Sequence, residues 1–123
     1  MVRALTRLSH LALTRSAVVG NATTTPLDMK DYVGTVKFDL NAISLSGGSS
    51  PVLDVQLRTG AASNAMAAVS GGAFTQVGNV MSDQAMLVDM RSLNRWVDFS
   101  YTVGGTGTFA CSITSHGVKQ VGA

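Results

Sequence analysis

The sequence has no glutamate, a single cysteine, two prolines and two histidines, and only 13% of its 123 residues are charged. One cysteine, Cys111, excludes an intramolecular disulfide framework and a cysteine-based zinc site. Neither His10 nor His116 has another potential ligand at the usual spacing, so we predict no metal site. No apolar run reaches the roughly 18 residues that a membrane-spanning helix needs. The sequence therefore predicts no metal, no cofactor and no membrane segment.

Catalytic and phosphate-binding patterns are also missing. Ser9 and Ser115 each precede a histidine, but neither pair belongs to a recognisable nucleophile motif. The glycine pairs at 47–48, 71–72 and 104–105 do not lead from a strand into a helix that ends in Lys-Ser or Lys-Thr, as a phosphate loop does. We predict no catalytic residue, and we interpret the glycine pairs as turns.

The scarcity of charge also bears on association. The length suits one domain with a single core. Because the mean hydropathy is positive, much of the surface must be small, hydroxylated or apolar. Monomeric soluble proteins seldom expose large apolar patches, and little charge keeps such a surface apart from its neighbours. The composition therefore favours assembly with other chains, including a homo-oligomer.

The dominant pattern in the chain is a short alternation of apolar and polar residues, broken by glycine-rich turns. This period of two is typical of half-buried strands and not of helices. It occurs in residues 32–43, 51–60, 71–77, 84–90, 95–103 and 107–114. No alternation of helices with strands indicates a parallel sheet. The sequence predicts an all-β fold, a single antiparallel β-sandwich or barrel-like domain.

The alternation also predicts which residues face the core. The apolar positions of the inward phase are Val36, Phe38, Leu40, Leu53, Val55, Leu57, Val97, Phe99, Tyr101, Val103, Phe109, Cys111 and Ile113. In this phase Cys111 is a small buried hydrophobe and not a reactive thiol. Residues 104–107 predict a tight hairpin between the last two strands. The alanine-rich residues 61–72 suit either a helical turn or a loop.

The N-terminal residues differ from the rest of the chain in charge. Residues 1–27 carry three arginines and no acid, and we predict an arm at 1–15 that precedes a sandwich domain at 16–123. The arm suits a short helix, an extended segment or a cleaved targeting peptide. Three arginines are too few for a nucleic-acid surface. We favour an arm that docks on a neighbouring protein, with its candidate contact residues being Arg3, Leu5, Arg7, Leu8 and Arg15.

A second group of polar residues lies at 89–96. Asp89, Arg91 and Arg95 suit a carbohydrate or acidic-partner site beside Trp96, but a polar corner between two strands explains them better. Such a corner uses Asp and Arg side chains to bind backbone groups, and an arginine can stack on a tryptophan there. Trp96 is out of phase with Val97 and should lie on the opposite face. We therefore predict that Trp96 is a contact point in an assembly.

Four of these segments together resemble a known group of proteins. They are SSPVLDVQLRTG, GGAFTQVG, LVDMRSLNRWV and YTVGGTGTF, and they cover about half of the chain. The matching positions are Ser50, Pro51, Leu53, Asp54, Val55, Leu57, Phe74, Thr75, Val77, Asp89, Arg91, Leu93, Arg95, Val97 and 103–106. The chain resembles small virion proteins of tailed bacteriophages, which are capsid decoration or minor head proteins. It departs from them at Trp96, where tyrosine is usual, and in loop 60–71, which lacks their aromatic-bearing stretch.

The resemblance implies a non-enzymatic structural protein on the capsid surface of the virion. Its expected partners are the major capsid protein or other virion proteins, together with copies of itself. A vertex spike, fibre-base or tail protein is an alternative, and so is a carbohydrate-binding module with Trp96 and Tyr101 as platforms. The resemblance implies no active site, and the arm at 1–15 lies outside it.

Overall fold

A computed structural model describes residues 4–18, 22–45, 51–105 and 108–121, and it describes side chains for 23–45, 51–105 and 108–118. The strands are β1 (Ala4–Val18), β2 (Ala22–Thr23), β3 (Leu27–Asp28), β4 (Tyr32–Ser44), β5 (Val52–Gly60), β6 (Ala67–Ala73), β7 (Ser82–Asp89), β8 (Trp96–Gly104) and β9 (Phe109–Val121). One short 3-10 helix, Met90–Ser92, follows β7. No helix in the described part of the chain is long and apolar enough to span a membrane.

The strands form two antiparallel sheets. Sheet A has the order β1-β9-β4-β7, and sheet B has the order β2-β8-β5-β6, with β3 also pairing with β8. Most connections therefore pass from one sheet to the other; the connections β2 to β3 and β5 to β6 stay within sheet B. A four-stranded and a five-stranded sheet with this order form a jelly roll. The predicted antiparallel sandwich is confirmed.

The core lies between the two sheets. Buried apolar side chains come from β4, β5, β8 and β9, in the phase that the alternation predicts. Phe99 is fully buried, and its ring meets Phe38 of the opposite sheet edge to face, with centroids 5.3 Å apart. Cys111 is a free thiol that is 4% exposed, as expected of a small buried hydrophobe. The period of two therefore identified most of the core, although Val103 is only partly buried and the core also includes Met29, Tyr32, Phe74 and Val77.

The predicted hairpin at 104–107 is wrong. Strand β8 belongs to sheet B and β9 to sheet A, so this connection crosses between the sheets. Both sides of β8 are already paired, with β5 on one side and with β2 and β3 on the other. A glycine-rich turn suits either connection, and Gly105 has a φ of 68°, which favours glycine. The local sequence cannot distinguish a hairpin from a tight crossover.

The alanine-rich segment at 61–72 and the N-terminal arm, for which the sequence left more than one conformation open, are both largely extended. In the alanine-rich segment, residues 61–64 form bends and a turn, and 67–73 form strand β6. At the N-terminus, Ala4–Val18 is a strand that pairs with β9, with register shifts after Leu11 and after Arg15. Most of the predicted arm at 1–15 is thus an outer strand of sheet A, and this strand continues past the proposed boundary at residue 16. A separate function for the arm stays a prediction.

Candidate functional site

The polar corner between β7 and β8 begins with the carboxylate of Asp89. Its Oδ1 accepts a hydrogen bond from the backbone N–H of Arg91 at 2.9 Å, which caps the 3-10 helix. The hydroxyl of Ser92 donates to the carbonyl oxygen of Asp89 at 2.7 Å. These bonds satisfy backbone groups at the point where the chain leaves the sheet. The predicted polar corner is present, and its side chains bind backbone groups as expected.

Asp89 also binds the side chain of Arg91. The guanidinium Nη2 lies 2.8 Å from Oδ2, and Arg91 is 91% exposed. Hydrogen bonds from the Arg91 side chain, and then from its backbone, lower the pKa of Asp89. The same side-chain bond raises the pKa of Arg91. Because solvent and salt screen exposed pairs, this pair orders the turn more than it stabilises the fold.

A second ion pair joins the corner to strand β3. Arg95 donates from Nε to Oδ1 of Asp28 at 3.0 Å and from Nη2 to Oδ2 at 2.8 Å. The backbone N–H of Met29 donates to the carbonyl oxygen of Arg95 at 2.7 Å. The Arg95 side chain is the main cause of the lowered pKa of Asp28, and Asp28 in turn raises the pKa of Arg95. This bidentate pair holds β3 against the first residue of β8.

Trp96 lies beside this pair. The Cζ of Arg95 is 5.2 Å from the centre of the indole ring, within the range of a cation–π contact. Trp96 is half-buried, whereas Val97 and Phe99 are fully buried in the core. The expected opposite phase of Trp96 is therefore found. The side chain of Trp96 is partly accessible.

A cleft of about 390 Å³ opens at the same corner. Its walls combine apolar side chains, including Met29, Met90 and Leu93, with the two arginines Arg91 and Arg95. Both guanidinium groups are already paired with carboxylates. Within the described residues, no group of three or more histidine, cysteine or acidic side chains could hold a metal ion. The geometry fits a structural link between strands that also offers an apolar surface.

One polar feature that the sequence did not reveal lies on the outer face of sheet B. Arg58 of β5 stands directly opposite Asp98 of β8. The two side chains form a bidentate pair, with Nε to Oδ1 at 2.8 Å and Nη2 to Oδ2 at 2.6 Å. Asp98 is 3% exposed although it lies in the outward phase. The hydrogen bond to Asp98 raises the pKa of Arg58. The strand register, which sequence alone did not provide, would have shown this pair.

The structure does not bring all the predicted contact residues to one place. Arg3 lies outside the described residues. The other four N-terminal residues belong to β1, where Leu5 pairs with Gln120, Arg7 with Val118, Leu8 with Gly117 and Arg15 with Cys111. Trp96 begins β8 in the other sheet. Whether these residues contact a partner stays a prediction.

Solved structures provide the comparison for this fold. No protein family matches the sequence, and no curated protein is similar to it. The chain resembles one from the Gx strain of infectious bursal disease virus, with a TM-score of 0.57, 11% identity and coverage of 95% of this chain and 32% of that chain. A chain of the T13 particle of the same virus gives a TM-score of 0.53 at 10% identity and covers 91% of this chain and 31% of that chain.

A third structure matches over most of both lengths. A chain of desmodium yellow mottle tymovirus gives a TM-score of 0.51 at 9% identity, and the match covers 98% of this chain and 88% of that chain. By contrast, the protein spans about a third of the length of the infectious bursal disease virus chains that it matches. At such low identity the likeness is one of fold.

Proposed function

We propose that this protein is a non-enzymatic structural component of a virus particle. The strand order of its two sheets is the observation that carries the proposal, because chains of viral particles share this fold. Fold alone does not determine function, since jelly rolls also occur in lectins and cupins. The exposed apolar side chains, Val80 at 79%, Leu87 at 71% and Met81 at 64%, add support for an assembling subunit.

The more specific proposal is a capsid decoration protein of a tailed bacteriophage that binds the major capsid protein. Its support is the resemblance in the segments around β5, residues 74–77, the polar corner and the β8–β9 connection. In the structure these segments contribute core positions such as Leu57 and Phe74, and they contribute Arg95 to its ion pair with Asp28. They describe a scaffold. The finer role therefore depends on the resemblance, while the general structural role depends on the fold.

Weak contacts suffice for such a role. A shell presents many identical sites, and linked binding events raise the overall affinity without any new contact. A protein that binds only the assembled shell favours the assembled state by mass action. The surfaces that we propose for contacts in the particle, with the shell or with neighbouring copies of this chain, are Trp96 and the N-terminal segment with Arg3, Leu5, Arg7, Leu8 and Arg15. The acid-free N-terminal segment suits an acidic surface on the partner.

The alternatives are a spike, fibre-base or tail protein, and a carbohydrate-binding module. The module was expected to use Trp96 and Tyr101 as its platforms. Tyr101 is 1% exposed and faces the core, so it cannot offer its ring to a sugar. Trp96 alone, half-buried against Arg95, is a small platform. The structure therefore favours the virion role over the carbohydrate-binding role.

The test is the amount of this protein in purified particles of the virus that encodes it, measured by quantitative mass spectrometry against the major capsid protein. A ratio that follows the capsid lattice supports decoration of the head. A few copies per particle would support a vertex or tail role and contradict decoration. Absence from particles would contradict the whole proposal.

A binding experiment tests the contact surface. Particles that lack the protein are incubated with purified wild type, with Trp96→Ala or with the control Thr102→Ala, which changes an exposed residue of the same strand. We expect Trp96→Ala to bind at least tenfold more weakly, as a truncated hot-spot tryptophan does, and Thr102→Ala to bind normally. Equal binding by all three proteins would remove Trp96 from the contact surface.

A further inference from the structure

The two outer strands of sheet A have unusually regular free edges. Strand β7 pairs with β4 through eight consecutive residues without a register shift. Strand β1 pairs with β9 through eight consecutive residues, from Ala4 to Leu11, before its first shift. In the described part of the chain, no strand pairs with the other side of either one. Natural edge strands are usually protected by proline, charged side chains (lysine above all), bulges or short length. These two stretches contain no proline, lysine or bulge, and their charged residues are Arg7, Asp83 and Asp89.

The directions of the strands allow these two edges to join. Every neighbouring pair in sheet A is antiparallel, so its four strands alternate in direction and the outer two run in opposite directions. A second copy placed alongside, in the same orientation, brings its β7 antiparallel to the first copy's β1. The sheet then continues with its normal alternation and adds backbone hydrogen bonds at the junction.

The charges of the two edges are complementary. Strand β1 contains Arg7, His10 and Arg15 but no acid, and its neighbour β9 contains no acid either. Strand β7 contains Asp83 and Asp89 but no lysine or arginine. Asp89 is paired with Arg91, whereas Asp83 is exposed and makes no ion pair among the described residues. Pairing β1 with β1, or β7 with β7, would place like charges together, which destabilises a strand pair.

The outer surface of β7 adds an apolar contribution. Leu87 is 71% exposed, and Met81, which directly precedes the strand, is 64% exposed. A strand of another chain that pairs with the free edge of β7 would place its own side chains beside Leu87 and cover part of this surface. Burial of apolar surface is the main favourable term in protein association.

We infer that copies of this chain associate head-to-tail, with β7 of one copy adding as a strand to β1 of the next. The interface is heterologous, so repeated pairing builds a ring if the rotation closes and a filament if it does not. This inference deepens the proposed structural role, because it names the surface through which the subunits join. The partner is a second copy of this chain.

Charge reversal in the purified full chain tests the pairing. In the register that places residue 7 of one copy opposite residue 83 of the next, Asp83→Lys and Arg7→Glu each put like charges across the β1–β7 junction, and the double variant restores opposite charges. At low ionic strength, sedimentation equilibrium should show self-association about fivefold weaker in each single variant and near wild type in the double variant. The matched control is Asp54→Lys, which makes the same charge change at an exposed position of β5, a strand paired on both sides. It should associate normally, and circular dichroism should confirm that each variant is folded.

Three outcomes would overturn the inference. The first is a wild-type chain that stays monomeric at the highest attainable concentration. The second is a double variant as weak as the two singles. The third is hydrogen exchange in which only one of the two strands gains protection on association, because head-to-tail pairing must protect the amides of β1 and β7 together. A monomer that is nevertheless found in particles would contradict this pairing alone. A chain that pairs as inferred but is absent from particles would contradict the structural role alone.

Discussion

Removing Arg58 should destabilise the domain more than neutralising its partner does. The side chain of Asp98 is 4% exposed, whereas the side chain of Arg58 is 27% exposed. In Arg58→Met the carboxylate loses its only ion-pair partner among the described residues and stays where water barely reaches it. In Asp98→Asn the guanidinium keeps a neutral oxygen acceptor and can also reach water. The two halves of one ion pair should therefore differ in cost.

The magnitude follows from the degree of burial. Breaking a buried ion pair by removing one partner typically costs about 3–5 kcal/mol. We expect Arg58→Met to cost about 3 kcal/mol, at the lower end, because the arginine side of the pair is partly solvated. A hydrogen bond to a charged group contributes about 1.5–3 kcal/mol, and we expect Asp98→Asn to cost about 1.5 kcal/mol, at the lower end, because one oxygen acceptor is retained. With a urea m-value of about 1.5 kcal/mol/M, the midpoints of Arg58→Met and Asp98→Asn should fall by about 2 M and about 1 M.

Equilibrium unfolding in urea at neutral pH measures both costs. The double variant Arg58→Met with Asp98→Leu is the control, since it leaves neither charge behind and should be more stable than Arg58→Met alone. If Asp98→Asn unfolds at the same urea concentration as Arg58→Met, or at a lower one, then the difference in burial does not govern the cost. The reasoning would then be refuted.

Three further predictions concern the core, the polar corner and one tight turn. Phe99→Ala should lower the free energy of unfolding by about 3–5 kcal/mol, because its side chain is fully buried between two rings. Ser100→Ala should change the urea midpoint little, and equal midpoints for the two variants would show that the inward and outward faces of the strand were assigned the wrong way round. The folded-state pKa of Asp28 is lowered, so its contribution to stability is present above the unfolded pKa near 3.8 and is lost as pH falls through the lowered value. If Asp28→Asn and wild type lost stability equally as the pH falls in the acid range, this prediction would be contradicted. A Cβ at Gly60 would clash with the backbone carbonyl oxygen of Ala65, whereas one at Gly78 meets nothing within 4 Å. Thermal unfolding should therefore show a lower midpoint for Gly60→Ala than for Gly78→Ala, and the opposite order would show that the turn relaxes.

The alternation of side chains predicted the core because it reports a local property of the backbone. Successive residues of a strand point to opposite faces, so Val55 and Leu57 could be assigned inward without knowledge of their partners. The polar corner was predictable for a similar reason, since Asp89 and Arg91 act within one turn. Features that arise within a few residues of sequence leave their pattern in that sequence.

The pairing of distant strands left no such pattern. The connection at 104–107 was expected to be a hairpin and is a crossover, because neighbours from elsewhere in the chain occupy both sides of β8. The pair between Arg58 and Asp98 joins residues 40 positions apart, and each is an ordinary outward polar residue in its own strand. Burial of Asp98 depends on what surrounds the pair in three dimensions.

By itself, the sequence determined the all-β class, the inward phase and the absence of recognisable catalytic motifs, since these depend on composition and on a period of two. Only the tertiary structure decided the order of the strands, the place of residues 4–18 as an outer strand and the complementary edges of sheet A. Backbone hydrogen bonds form with any extended neighbour, so the residues of a strand only weakly encode which other strand it pairs with. That partner is selected by the packing of the whole chain around one core.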